Sequence, residues 1–224
     1  MKRNFSRRGF TLVELLVAMA VGLVVLGAMY AVFTMQNREL IQQDMVTAMQ
    51  QNARAALEMM TREIRMAGYN PAKKTTGWSS SPTTAPGPAP GIVTADAAVL
   101  AFVADLDGDS DTTYADNENE NITYSLCVAG ACSPCRWKCL ARTANGVLQT
   151  VAEDIEALVF KYYNAGGAEL TTPVAAADLA SIRKIEVAVK ARSAREDPGY
   201  TSGSSDHYYH YEVKSQVTLR NMGL

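Results

Sequence analysis

From Phe10 to Phe33 the chain is almost unbroken hydrocarbon, with only Thr11 and Glu14 clearly polar. As a helix this run would extend roughly 36 Å at ~1.5 Å per residue, enough to cross a hydrocarbon core of about 30 Å. A secretory signal has an apolar core of only about 7–15 residues. The run therefore reads as a spanning segment, although Ala18-Met19-Ala20 has the look of a cleavage site. Lys2, Arg3, Arg7 and Arg8 precede it, and that basic flank predicts a cytoplasmic N-terminus with the C-terminal part exported. Glu14 is the anomaly. A charge within a spanning helix costs a few kcal/mol and usually has a partner and a purpose. The nearest cation would be an α-amine created by cutting the chain before Phe10.

The helical period continues past the apolar run. Val46, Met49, Ala53, Ala56, Met60, Ile64 and Ala67 recur at spacings of three or four, which puts them on one face. Glu58 and Arg62 form an i,i+4 pair on the polar side. Gly68 and Asn70-Pro71 supply a stop signal. One helix from about Phe10 to Ala67 is expected, apolar all round in its first half and amphipathic in its second. Gly22 and Gly27 suit either close helix approach or local unwinding.

Gly9-Phe10-Thr11-Leu12-Val13-Glu14, set between basic residues and an apolar helix, resembles the processing signal of type IV prepilins and the related pseudopilins. The resemblance implies cleavage between Gly9 and Phe10 by a membrane prepilin peptidase, followed by N-methylation of Phe10. It also implies that Glu14, the fifth mature residue, pairs with the N-terminal amine of a neighbouring subunit. "QQNARAALEMMTREIRMAGYNP" (50–71) and "VTLRNMGL" (217–224) look like the corresponding stretches of PilW-type minor pilins, low-abundance components of a priming or tip complex. A minor pseudopilin of a type II secretion system would share the leader, Glu14 and the helix, and a tip adhesin or surface sensor is a third reading. The implied partners are the prepilin peptidase, other minor and major pilins, the inner-membrane assembly platform, and the membrane itself before assembly. The implied location is a single pass in the bacterial inner membrane with the head in the periplasm, then the pilus or cell surface.

Four segments follow: a leader over 1–9, a membrane and assembly helix over 10–33, its amphipathic continuation over 34–70, and a head over 71–224. Five prolines among Ser, Thr and Gly make 71–91 a loop. Strand patterns occupy about 98–104, 122–127, 137–143, 155–163 and 183–191, with the alternation of "KIEVAVKA" (184–191) the clearest. A further alternation runs through the later part of 207–220, and 193–206 between them reads as a mobile loop. The expected fold class is α+β, a type IV pilin-like arrangement of one long N-terminal helix on a mostly antiparallel sheet.

Two clusters in the head have chemistry. "DLDGDSDTTYAD" (105–116) places Asp105, Asp107, Asp109, Asp111 and Asp116 at or near the oxygen-ligand positions of a calcium loop. The position that normally holds glycine is Ser110, no helix pair flanks the loop, and the pattern also describes a solvated acidic turn. Ca2+ is the one cofactor this pattern suggests. Cys127, Cys132, Cys135 and Cys139 all lie within thirteen positions, 127–139. An even number in an exported domain points to disulfides. Cys127 ends one candidate strand and Cys139 lies in the next, so the expected bond joins them across a hairpin around a Cys132–Cys135 loop. A zinc site and a redox dithiol at "CSPC" are the rival readings.

Nothing in the sequence argues for catalysis. His207 and His210 are the only histidines, and their spacing of three in a strand would put them on opposite faces. No nucleophile elbow, phosphate loop or dinucleotide fingerprint is present. Tyr208, Tyr209 and Tyr211 suit sheet packing and a binding surface equally. The formal net charge of −2, more negative once the leader is removed, lacks the electrostatic footprint of a nucleic-acid binder.

Overall fold

The computed structural model describes residues 9–71, 91–106, 120–133, 135–144, 146–201 and 206–222. The basic leader, the proline-rich stretch and Asp107, Asp109, Asp111 and Asp116 lie outside the described residues. The chain divides into two compact units between Asp44 and Met45.

In the first unit, helix α1 (Leu12–Ile64) begins and carries Leu12, Val13, Leu15, Leu16, Val17 and the apolar side chains that follow, all exposed. A helix apolar all round and buried against nothing needs lipid or other helices as its solvent. It is long and apolar enough to cross a membrane. The helix passes through Gly22 and Gly27 without unwinding, and a Cβ at either would meet open space.

In the second unit the amphipathic face does what its spacing demands. Met49, Ala53, Ala56, Leu57, Met60 and Ile64 are buried, Ala67 joins them and Val46 packs at the margin. The helix ends by tightening. The amides of Met66 and Ala67 donate to Glu63 and Ile64, three residues back. Gly68 then adopts φ +77, and a Cβ there would come within 2.9 Å of Met222 Sδ. Only glycine enters this conformation without strain. Asn221 completes the cap, its Nδ2 donating to the carbonyls of Arg65 and Met66 at 3.4 Å.

Two antiparallel sheets pack on this part of the helix, where a single sheet was expected. The first is a five-stranded meander: β1 (Gly91–Ala95), β2 (Leu100–Val103), β3 (Asn121–Val128), β4 (Lys138–Ala144) and β5 (Val147–Glu153). The second comprises β6 (Ile155–Asn164), β7 (Glu169–Leu170), β8 (Ile182–Arg192) and β9 (His210–Thr218), in the order β7-β6-β8-β9. Asp154 is the reason for the division. It sits between β5 and β6 at φ 57, a left-handed conformation that breaks the strand while letting the chain pass straight into the next sheet. Its carbonyl accepts the amide of Arg192 at 2.9 Å.

Phe102, Tyr124 and Leu140 from the first sheet and Phe160, Tyr162, Ile185, Val187 and Val217 from the second are completely or nearly completely buried. With the helical face they form one core cluster. The sheets are also joined directly: Phe160 N donates to Ala97 O at 2.8 Å and Tyr162 Oη to Asp96 O at 2.8 Å. β1 and β5 carry weaker sequence signals than the strands between them, and both lie at sheet edges.

Candidate functional site

Gly9, Phe10 and Thr11 precede the helix, and Phe10 is 89% exposed. Thr11 is the cap. Its Oγ1 accepts the amide of Glu14 at 3.2 Å. The Glu14 carboxylate reaches back, its Oε2 accepting the Thr11 amide at 2.9 Å and the Thr11 hydroxyl at 3.0 Å. This reciprocal arrangement is a capping box: threonine at the N-cap and glutamate three residues on each satisfy a donor that the first turn leaves open. The negative charge also lies at the favourable end of the helix dipole. Thr-x-x-Glu ahead of an apolar run is itself a sequence signal for this motif, so the local partner of Glu14 was open to inspection in "TLVE". Gly9 has no comparable internal role. Its backbone is not in the left-handed region, and a Cβ would meet nothing within 4 Å. If a glycine is needed there, the need comes from outside the chain.

These residues coincide with a recognised pattern. A family model for the prokaryotic N-terminal methylation motif matches residues 4–30. Residues 4–30 thus carry a prokaryotic N-terminal methylation motif. The motif implies processing by a prepilin peptidase and assembly with other pilins, and the apolar helix is consistent with membrane anchoring. Among solved structures the chain is similar to a type IV-like pilin from Thermus thermophilus, with 11% identity over 82% of this chain and 98% of that one, and a TM-score of 0.42. No curated protein matches it.

The remaining singled-out residues fall in the second unit. Asp105 is buried, and its amide donates to Tyr69 O at 2.9 Å. The other aspartates of the calcium pattern are outside the described residues. Glu120, on the far side of that segment, is also buried, and its Oε1 accepts the amide of Leu106 at 2.7 Å.

All four cysteines are bonded, but not in the expected pairs. The disulfides are Cys127–Cys132 and Cys135–Cys139. Cys127 and Cys139 do stand directly opposite one another on β3 and β4, as a hairpin bond would require. Each instead bonds a partner close by in sequence, where Ala129 N donates to Trp137 O at 2.7 Å and Ala129 bridges to Cys132.

His207 precedes β9 at φ 56, with Nδ1 2.7 Å from Tyr200 O. His210 opens β9 between two carboxylates, with Nδ1 2.8 Å from Glu156 and Nε2 3.0 Å from Asp206. Segment 193–206, expected to be loose, is extensively tied where it is described. Tyr200 stacks on Tyr209 with centroids 4.0 Å apart. Tyr209 Oη donates to Asp197 at 2.7 Å, and Tyr208 Oη to Glu196 at 3.2 Å. Burial, together with the Asp197 bond, pushes the Tyr209 hydroxyl up to about 12. The Arg192 guanidinium lies between two rings, 3.4 Å from the Trp137 centroid and 4.1 Å from that of Tyr208.

One polar cluster escaped the sequence entirely. Arg142 on β4 is buried beneath helix α1, its Nε 3.0 and 3.1 Å from the two Glu63 oxygens and its Nη1 3.2 Å from Gln149. Tyr124 Oη donates to the same glutamate, and burial, reinforced by Glu63, raises the Tyr124 pKa strongly.

Proposed function

We propose that this chain is a PilW-type minor pilin, cut between Gly9 and Phe10, methylated on Phe10, and built through its N-terminal helix into the complex that primes or tips a pilus. The observation that carries the reading is the start of the helix: an exposed Phe10, a glycine with no internal role, and a glutamate at the head of a fully exposed apolar surface. The likeness of residues 50–71 and 217–224 to PilW-type minor pilins supports the narrower assignment. Four cysteines held as two disulfides support a head that works outside the cytoplasm, in the periplasm before assembly and at the pilus or cell surface afterwards.

Co-expression with a prepilin peptidase tests the processing step. Wild type is expected to lose nine residues and gain one methyl group on Phe10, while Gly9→Leu stays at precursor mass; processing of Gly9→Leu at wild-type rate overturns the reading. A deletion strain scored for piliation, adhesion and protein secretion separates the roles. Loss of pili supports the minor pilin, loss of adhesion with normal pili supports a tip adhesin, and loss of secretion alone supports a pseudopilin.

A further inference from the structure

The cysteine cluster supports more than two static crosslinks. Cys127 and Cys139 are cross-strand partners on β3 and β4, a position in which Cα atoms lie about 4.5–5.5 Å apart. That separation falls inside the range a disulfide spans. The bonds actually present span 6.3 Å from Cys127 to Cys132 and 6.0 Å from Cys135 to Cys139 between Cα atoms. Each cysteine on a strand therefore has two partners within reach, one along the chain and one across the hairpin. Cys132 and Cys139 are buried, whereas Cys127 and Cys135 are partly open to solvent.

We propose that the four cysteines form one thiol-exchange site, entered at Cys135 by an external thiol or dithiol. The incoming thiolate attacks Cys135 Sγ; the Cys135–Cys139 bond breaks and its electron pair leaves on Cys139. The Cys139 thiolate faces Cys127 in register and attacks its sulfur, releasing Cys132 as thiolate. Cys132 then attacks the mixed disulfide at Cys135, closes Cys132–Cys135 and expels the original thiolate. No electrons are gained or lost overall, and the external thiol acts as a catalyst. The product is the cross-strand pairing Cys127–Cys139 with Cys132–Cys135. Breaking Cys135–Cys139 also opens the disulfide-closed ring that contains Trp137, whose indole lies 3.4 Å from the Arg192 guanidinium.

The test uses the full chain in detergent, with free thiols labelled by an alkylating reagent and pairings mapped by mass spectrometry of non-reduced peptides. Cys135→Ser leaves Cys139 as the nucleophile with no external thiol needed. The label is expected to move from Cys139 to Cys132 as Cys127–Cys139 forms. A label that stays on Cys139 after prolonged incubation at about pH 8 overturns the proposal. Wild-type protein equilibrated with a reduced and oxidised glutathione mixture provides a second arm without a substitution. Cys127–Cys139 and Cys132–Cys135 peptides appearing together support exchange, whereas persistence of the two local pairs alone, or only glutathione adducts, defeats it.

Discussion

The Glu14 carboxylate lies 2.9 Å from the amide of Thr11, whose hydroxyl lies 3.2 Å from the amide of Glu14. A charge in an apolar run thus has a local partner before any neighbouring subunit meets it. Both of the bonds that Glu14 accepts from Thr11 fall on Oε2. Thr11→Val preserves shape but removes the hydroxyl side of the cap, and lost caps cost about 1 kcal/mol. Amide exchange at residues 12–14 in micelles is expected to rise several-fold, with cleavage unchanged. Glu14→Val is expected to be cleaved normally and to enter the pilus complex poorly, since it loses both the cap and the charge.

Arg142 and Glu63 join the helix to the first sheet across a separation of 79 residues. Removing one member of a buried pair strands the other, at a cost of about 3–5 kcal/mol for full burial. Arg142 keeps only 5% of its side chain exposed and Glu63 23%, so Arg142→Ala, which strands the more solvated partner, belongs near the lower bound and Glu63→Ala above it. Tyr124→Phe, which removes only a hydroxyl, is expected to cost about 1 kcal/mol. Urea midpoints of the three variants check the order.

Acid should loosen the edge of the second sheet. Burial raises the Glu156 carboxyl, but its bonds to Lys190 and His210 outweigh this and hold it below its ordinary value of 4.5. A depressed carboxylate contributes its stabilisation above the unfolded value and loses it as pH falls through the folded one. Melting temperature is therefore expected to drop below about pH 4.5, and Glu156→Gln should flatten that limb. At neutral pH this partly solvated site contributes at most about 1 kcal/mol.

Calcium at Asp105, Asp107, Asp109, Asp111 and Asp116 would bind the folded chain and raise its melting temperature by mass action. A rise of several degrees at millimolar calcium, reversed by chelator, is the expected result; equal melting temperatures in calcium and chelator leave the acidic turn as the answer.

The parts of this fold written in local periodicity were legible. Helical spacing from Met49 to Ala67 and strand alternation in β8 each declare which side faces the core, because one face must leave water. "TLVE" declared a capping box as plainly, though its glutamate invites a search for distant partners. What was hidden depends on where chain segments meet. Nothing near Arg142 says that a helix glutamate lies above it. Cys127 and Cys139 were placed opposite one another by the strand pattern, but each bonds a cysteine four or five positions away in sequence, which strand alternation does not reveal. The second sheet was hidden for a subtler reason: a single left-handed aspartate, Asp154, lies between β5 and β6, and strand patterns alone do not say which strands share a sheet.

The end of helix α1 is finished by residues far away in the chain. Asn221 caps carbonyls 155 and 156 positions before it, and Met222 lies against Gly68. During synthesis, the helix would leave the ribosome long before the residues that close it exist. Until β9 and residues 219–222 arrive, its last carbonyls must be met by water, and its buried face has only part of its cover. Such late closure means that a chain interrupted just before residue 219 carries every described strand and still lacks the stopper of its first element.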